Sequence, residues 1–280
     1  MAKTIKQIRT INPARQGAEP NDGRASPIAA CKLCGGASPL FGVVDFNKTC
    51  HEQPDQRLPL SGSPVYFRRC GECGFLFTEA FDAFTAADFE TRIYNTDYAA
   101  IDPDFAERRP RANAALIAKL FGAARATLSV LDYGGGEGLL ADILSREGWR
   151  IDTHDPFHSA DNRHAEPPAG PYDLITCFEV FEHTTDPKAL IDTLTGLLAS
   201  GGLLLFSTLL QPPDIDETRL NWWYAAPRNG HISLFSKQSL AALCSGAGLT
   251  LASFNEGLHV AYRRLPAFAK HLMAKVTADR

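Results

Sequence analysis

No apolar run in the 280 residues is long enough to cross a bilayer: the longest, Leu203–Leu210, holds Ser207 and Thr208 and falls far short of about 20 residues. Positive charge is not in excess either. Twenty-eight Lys and Arg stand against 32 Asp and Glu, a net charge of −4 with a pI near 6.1, which argues against a surface that grips nucleic acid through its phosphates. Residues 1–30 carry Lys3, Lys6, Arg9, Arg15 and Arg24 but no continuous apolar stretch that could form the core of a signal peptide. The expectation is a cytoplasmic protein with no membrane insertion. No internal repeat or low-complexity tract is visible. What remains, 45% hydrophobic and 21% charged residues, is ordinary globular composition and predicts one large or two modest domains.

The seven cysteines are odd in number, and four of them form two Cys-x-x-Cys pairs, Cys31-Lys-Leu-Cys34-Gly and Cys70-Gly-Glu-Cys73-Gly, with 35 residues between. That pattern favours a metal over disulfides or redox cysteines. Two-residue spacing lets both thiolates of a tight turn face one ion, and the following glycine lets the backbone fold beneath the sulfurs. Cys31, Cys34, Cys70 and Cys73 are therefore the candidate ligands of a closed, structural Zn²⁺ site. It would stabilise a segment too small to build a sufficient core alone. Cys50 and His51 lie between the pairs and are left out because four thiolates suffice. Cys177 and Cys244 fall in apolar patterns and are read as buried thiols.

The chain divides into a tail at 1–28, a zinc-binding module at 29–80, a second domain at 81–265, and a tail or amphipathic helix at 266–280. Beyond an aromatic, acidic connector, Ala114, Leu116, Ile117, Leu120 and Phe121 mark a helix. Short strands then alternate with helices: Leu128–Asp132, Leu139–Glu147, Arg150–Asp155, Tyr172–Phe178, Pro187–Ala199, Leu203–Thr208. This predicts an α/β fold with a parallel sheet covered by helices. Gly201-Gly202 is expected to stop a helix, Ser236 to cap the next, and 249–264 to form two closing strands around Gly257.

The chemistry concentrates at Val130-Leu-Asp132-Tyr-Gly134-Gly-Gly136-Glu-Gly138, a strand turning through glycines into a helix. The third glycine of a dinucleotide fingerprint would fall at Leu139, so a pyrophosphate grip is disfavoured. The alternating glycines resemble motif I of class I S-adenosylmethionine (SAM)-dependent methyltransferases. Asp155 stands 17 residues after Gly138 at the end of the next strand, where a carboxylate can accept both ribose hydroxyls of SAM. Phe178-Glu179-Val-Phe-Glu182-His183-Thr-Thr-Asp186-Pro187 and the later Gly201-Gly202 resemble the region around strands four and five of the same superfamily. The resemblance covers about residues 110–260 and implies a Rossmann-like sheet. It also implies SAM contacts from Asp132, Gly134, Gly136, Gly138, Asp155, Phe178, Glu179 and Tyr98. A third strand is not evident between Asp155 and Tyr172, and Asp161 is the candidate there for an adenine contact.

Tyr94–Tyr98 with Arg108-Arg109-Pro-Arg111 resembles the tyrosine-rich lid and basic helix of small-molecule methyltransferases. Trp222-Trp223-Tyr224 with Gly230-His231 resembles their insertion after strand five. Together with the zinc module these are similar to bacterial methyltransferases of sugar and polysaccharide pathways, which implies a small carbohydrate acceptor methylated at oxygen or carbon. Such a reaction needs a base, and His183 and His231 are the candidates because imidazole titrates in the required range. The aromatic trio is suited either to stacking on the acceptor ring from an exposed position or to filling the core. Two other readings stay open: an RNA base methyltransferase with a zinc ribbon, and a SAM-fold scaffold without catalysis.

Overall fold

The computed structural model describes residues 28–51, 57–156 and 168–272. Its larger sheet has six strands. β5 (Ser129–Tyr133), β6 (Arg150–His154), β7 (Tyr172–Cys177) and β8 (Leu198–Ser207) are parallel, while β10 (Thr250–Ser253) and β11 (Leu258–Tyr262) close the edge antiparallel. The spatial order is β10-β11-β8-β7-β5-β6. Successive side chains on the central strands face opposite ways, and both faces are covered by helices. Leu131, Ile175, Leu204 and Phe206 pack with α5 (Pro187–Leu197) and α7 (Lys237–Gly246), while Val130, Leu174, Leu203 and Leu205 pack with α3 (Arg108–Phe121) and α4 (Leu139–Arg146). Burial on both sides is why these strands read as nearly continuous apolar runs.

The local signals behave as their chemistry requires. Asp186 caps α5 by accepting from the Lys188 and Ala189 amides, and Ser236 with Ser239 forms a capping box on α7. The Gly201-Gly202 pair does not terminate α5. The helix ends at Leu197, β8 begins at once, and the glycines lie inside the strand where its register against β7 shifts. A Cβ on Gly202 would come within 2.9 Å of the Tyr172 carbonyl, so close strand approach explains the glycine. The expected strands around Gly257 are β10 and β11. At the carboxyl end a short 3₁₀ turn, Ala267–Ala269, buries Ala269, and Leu272 is buried as well. Residues 1–27 and 273–280, Asp161, and most of the segment in which a third strand was sought lie outside the described residues.

The cysteine-bearing segment forms a second sheet from β1 (Ile28–Ala30), β2 (Ala37–Asp45), β3 (Pro64–Arg69) and β4 (Leu76–Thr78). Its fifth strand, β9 (Ser233–Leu234), comes from beyond β8 and pairs antiparallel with β4. The two parts of the chain therefore share a sheet and a core. Phe41, Val65 and Phe67 pack in one cluster with Ile215 of the short α6 (Ile215–Thr218) and with Leu220, Trp222 and Tyr224. Of the two readings of the aromatic trio, core filling holds for Trp222 and Tyr224, which are only 6% and 3% exposed, while Trp223 alone reaches solvent, at 40%. The indole and phenol fill the seam between the cysteine-bearing sheet and the segment after β8, where apolar burial outweighs a surface role.

Candidate active site and cysteine cluster

A cleft of 780 Å³ opens at the carboxyl ends of the parallel strands, where open α/β sheets bind ligands. Its floor is the turn after β5. Gly134, Gly135 and Gly136 line it together with Asp132, Asp155 and Phe178. The turn is pinned from both sides. The Gly136 amide donates to Asp155 Oδ2 at 2.9 Å, and the Gly134 amide donates to the His154 carbonyl at 2.7 Å. Gly138 is the left-handed N-cap of α4 and shapes the turn without lining the cleft. Asp132 is buried beneath the loop and accepts from Thr176 Oγ1 at 2.8 Å. Burial raises its carboxyl to about 7.

The opposite wall comes from the connector between α1 (Ala86–Arg92) and α3, including α2 (Tyr98–Ile101). Tyr94 and Tyr98 face the cleft edge to face, with centroids 5.1 Å apart. The connector is held down by the Arg228 guanidinium, which donates to the Ile93 carbonyl at 2.8 Å and Asn95 Oδ1 at 3.1 Å, and by Tyr98 Oη on the Asn229 carbonyl at 3.3 Å. Arg109, at the start of α3, reaches into the cleft, pairs with Asp102, and lies 3.4 Å from Glu179 Oε2. Glu179 takes a left-handed backbone with φ +55°, unusual for a residue with a side chain. Ser207 secures it: the Glu179 amide donates to Ser207 Oγ at 2.8 Å, and that hydroxyl donates to Glu179 Oε1 at 2.6 Å. Strain held in this way is common at functional sites.

His183 lines the cleft and lies 3.1 Å from Tyr94 Oη through Nδ1. Burial first, then the nearby His231 and Arg109, push its imidazole well below the usual range, so it is neutral at pH 7. His231 packs edge-on behind it with ring centroids 4.9 Å apart. It is 6% exposed, does not line the cleft, and makes a 2.9 Å contact from Nδ1 to the Tyr224 carbonyl. Its pKa is pushed down to about 3, again mainly by burial. Of the two candidate bases, then, the structure places only His183 at the cleft.

Glu182, to which the sequence pattern assigned no role, completes this layer. It is fully buried, accepts from Tyr224 Oη at 2.5 Å, and its carboxyl rises to about 8, through burial and then the charge of Glu179. Donor atoms of Glu182, His183 and His231 lie within 4.8 Å of one another. Tyr224 and Tyr94 already engage the group, which therefore reads as a hydrogen-bonded support for His183. Arg109 belongs to the basic run at 108–111, but only the helix face selects it over Arg108 and Arg111. Gly135 and Asp102 carried no signal that set them apart.

The four predicted cysteine ligands meet at one point, with all four sulfurs within 4.8 Å of one another. Cys31 and Cys73 sulfurs are 3.7 Å apart, and those of Cys34 and Cys70 are 3.5 Å apart. Tetrahedral zinc with Zn–S of about 2.3 Å requires sulfur separations of about 3.8 Å, so the cluster fits a four-thiolate ion. Both knuckles repeat one backbone pattern. The Gly35 amide donates to the Cys31 carbonyl and the Gly74 amide to the Cys70 carbonyl, at 2.9 and 3.0 Å, with φ of +78° and +73° at the glycines. Amides of Leu33 and Cys73 approach the Cys31 and Cys70 sulfurs at 3.4 and 3.5 Å, as second-sphere donors to thiolates do. Lys32, within the first knuckle, reaches the loop that follows β7, where its Nζ donates to the Thr185 carbonyl at 3.2 Å.

Comparison with known proteins finds methyltransferases. The chain is similar to the ubiquinone biosynthesis O-methyltransferase of Sodalis glossinidius (strain morsitans), 32% identical over 106 residues that make up 30% of this chain and 43% of that protein. It is also similar to the enzyme of the same name from Escherichia coli K12 / DH10B, 33% identical over 101 residues, 29% of this chain and 42% of that protein. The matched stretch spans about two-fifths of the length of these curated relatives. Among solved structures, magnesium protoporphyrin IX methyltransferase from Synechocystis PCC 6803 with bound SAM superposes with a TM-score of 0.41 at 16% identity, covering 66% of this chain and 94% of that one. An amino pentose methyltransferase from Micromonospora echinaspora with bound SAM gives 0.42 at 16%, covering 61% and 98%. A family profile described as a methyltransferase domain matches residues 105–253, more than half of the chain and all four parallel strands. The chain belongs to the methyltransferase-domain family.

Proposed function

We propose that the protein transfers the methyl group of SAM to a small, hydroxyl-bearing acceptor of the carbohydrate class. The observation that carries this reading is the joint placement of the Gly134–Gly136 turn, Asp155 and His183 around one cleft. When bound, SAM supplies a sulfonium methyl: the acceptor lone pair forms the new bond to carbon while the C–S bond breaks, its electrons staying on sulfur to give S-adenosylhomocysteine.

The chain contributes the surroundings. The glycine turn permits close backbone approach, and Asp155 is the acceptor for the ribose hydroxyls. Asp132, Phe178, Glu179 and Tyr98 complete the cofactor wall, and Gly138 acts behind it by shaping the turn. Arg109 is the one Lys or Arg among the described residues lining the cleft, and it is the partner for the methionyl carboxylate. Neutral His183, backed by Tyr94, takes the acceptor proton. Alignment of the acceptor supplies the rest of the rate. Asn95, Thr96, Thr184 and Thr193 line the same cleft and are suited to hydroxyl groups. The acidic lining opposes an RNA acceptor.

In the amino-terminal sheet, Cys31, Cys34, Cys70 and Cys73 would hold one structural Zn²⁺, which fixes the sheet that β9 completes. Calorimetric titration with SAM, followed by methyl-transfer assays of wild type and His183→Gln, tests the reading. Absence of SAM binding to folded protein would overturn it.

A further inference from the structure

The geometry points to an acceptor selected by charge: a cationic, amine-bearing small molecule is favoured over a neutral one, and one carrying phosphate is rejected. This rests on the methyl-transfer reading and adds the substrate class. Three observations carry it. Seven carboxyl side chains, one of them the buried Asp132 whose charge is partly suppressed, line the cleft against a single guanidinium, Arg109, among the described residues. That guanidinium is engaged by Asp102 and Glu179, and the carboxylate of SAM competes for it too. Finally, the N-terminus of α5, the helix end at the acceptor side and a natural phosphate site, is already filled. Its amides at Lys188 and Ala189 bind the Asp186 carboxylate at 3.1 and 3.0 Å.

Two of the carboxylates belong to the acceptor side by their place in the chain. Glu90 lies one helical turn before Tyr94, and Asp186 lies three residues after His183; both are exposed and line the cleft. A diphosphate brought to this rim would find repulsion from both and no unengaged cation among the described lining residues, whereas an ammonium would find carboxylate acceptors. His183 adds no positive charge, since it is neutral at pH 7. Methylation of a hydroxyl or of an amine on such an acceptor leaves its charge class unchanged, so product and substrate separate alike on ion exchange.

The experiment has three arms. SAM affinity is measured first by calorimetry; its absence defeats the methyl-transfer reading itself. The protein is then incubated with deuteriomethyl SAM and small-molecule cell extract resolved by ion exchange into cationic, neutral and anionic pools, and products are found by mass spectrometry. Label chiefly in the cationic pool is expected, and label chiefly in the neutral or anionic pool overturns the inference. Whatever that outcome, protein saturated with S-adenosylhomocysteine is titrated with uridine diphosphate. No saturable binding is expected at low salt, and saturable binding overturns the proposal. Glu90→Lys should leave SAM affinity intact and raise KM for the labelled cationic acceptor about three- to tenfold, the scale of reversing one rim charge. That difference should shrink once ionic strength cuts the Debye length below about 10 Å. An unchanged KM, or one insensitive to salt, overturns a role for charge.

Discussion

Gly135→Ala separates the tertiary account of the cofactor turn from the motif account. The motif singles out Gly134, Gly136 and Gly138, yet a Cβ on Gly135 would lie 2.3 Å from Thr153 Oγ1 and 2.5 Å from Asp132 Oδ2. Neither neighbour can yield easily: Asp132 is buried and tied to Thr176, and Thr153 Oγ1 donates to the Asp132 carbonyl at 3.3 Å. Gly136 has φ +53°, and a methyl group there would meet nothing within 4 Å. Alanine at that position pays only the left-handed backbone term of about 1–2 kcal/mol. Overpacking at Gly135 costs about 1–3 kcal/mol and also displaces the carboxyl beneath the loop. With roughly 2–4 °C per kcal/mol for a chain near this size, Gly135→Ala should melt roughly 2–12 °C lower. Its SAM affinity should fall by at least about tenfold, since the turn must move. Gly136→Ala should bind SAM more nearly like wild type. Differential scanning calorimetry and isothermal titration read both quantities. If Gly135→Ala melted and bound like wild type while Gly136→Ala lost SAM, the packing argument would be refuted.

Asp155→Ala removes both the ribose acceptor and the partner of the Gly136 amide; SAM affinity by calorimetry should fall by about 1.5–3 kcal/mol, the scale of lost charge-assisted hydrogen bonds. His183→Gln should lower single-turnover methyl transfer by about 10²–10⁴ with SAM affinity nearly intact, whereas His231→Gln should chiefly lower thermal stability; the reverse pattern would reassign the base. Glu182 has its carboxyl raised from 4.5 to about 8, so the folded state keeps a proton that the unfolded state releases across that window, and stability falls as pH rises through it. Glu182→Gln should flatten this slope in denaturant titrations at pH 5 and pH 8, leaving the part that Asp132, raised to about 7, contributes in the same direction, and an unchanged slope would exclude Glu182 as a source. Elemental analysis should find one zinc per chain, and Cys70→Ser should lose it together with stability of the amino-terminal sheet.

Much of the site was legible because it depends on short-range chemistry. The Cys-x-x-Cys-Gly spacing brings two thiolates to one side of a turn wherever that turn sits. The glycines after β5 and Asp155 after β6 occupy strand ends, and adjacent parallel strands bring their carboxyl ends to one crevice. Those placements follow from local geometry and the right-handed connection rule. The same reasoning located β5 to β8, β10, β11 and the cap at Ser236.

Tertiary structure decided what depends on contacts between distant segments. β9 is two residues long, too short to leave a periodic pattern, and it exists because β4 offers an open edge beside it. Once that pairing forms, Trp222 and Tyr224 are drawn into the seam and cannot serve as a surface platform. The two histidines looked equivalent in the sequence, but packing puts His183 at the cleft and His231 behind it. Arg109 was one of three arginines until the face of α3 chose it, and Glu182 acquired its raised pKa from tertiary burial, with the charge of Glu179 adding to it. The sequence by itself determined the strand-end chemistry and the paired thiolates, because both are set within a few residues. Burial, and with it protonation and access, was decided only when the two sheets closed on one core.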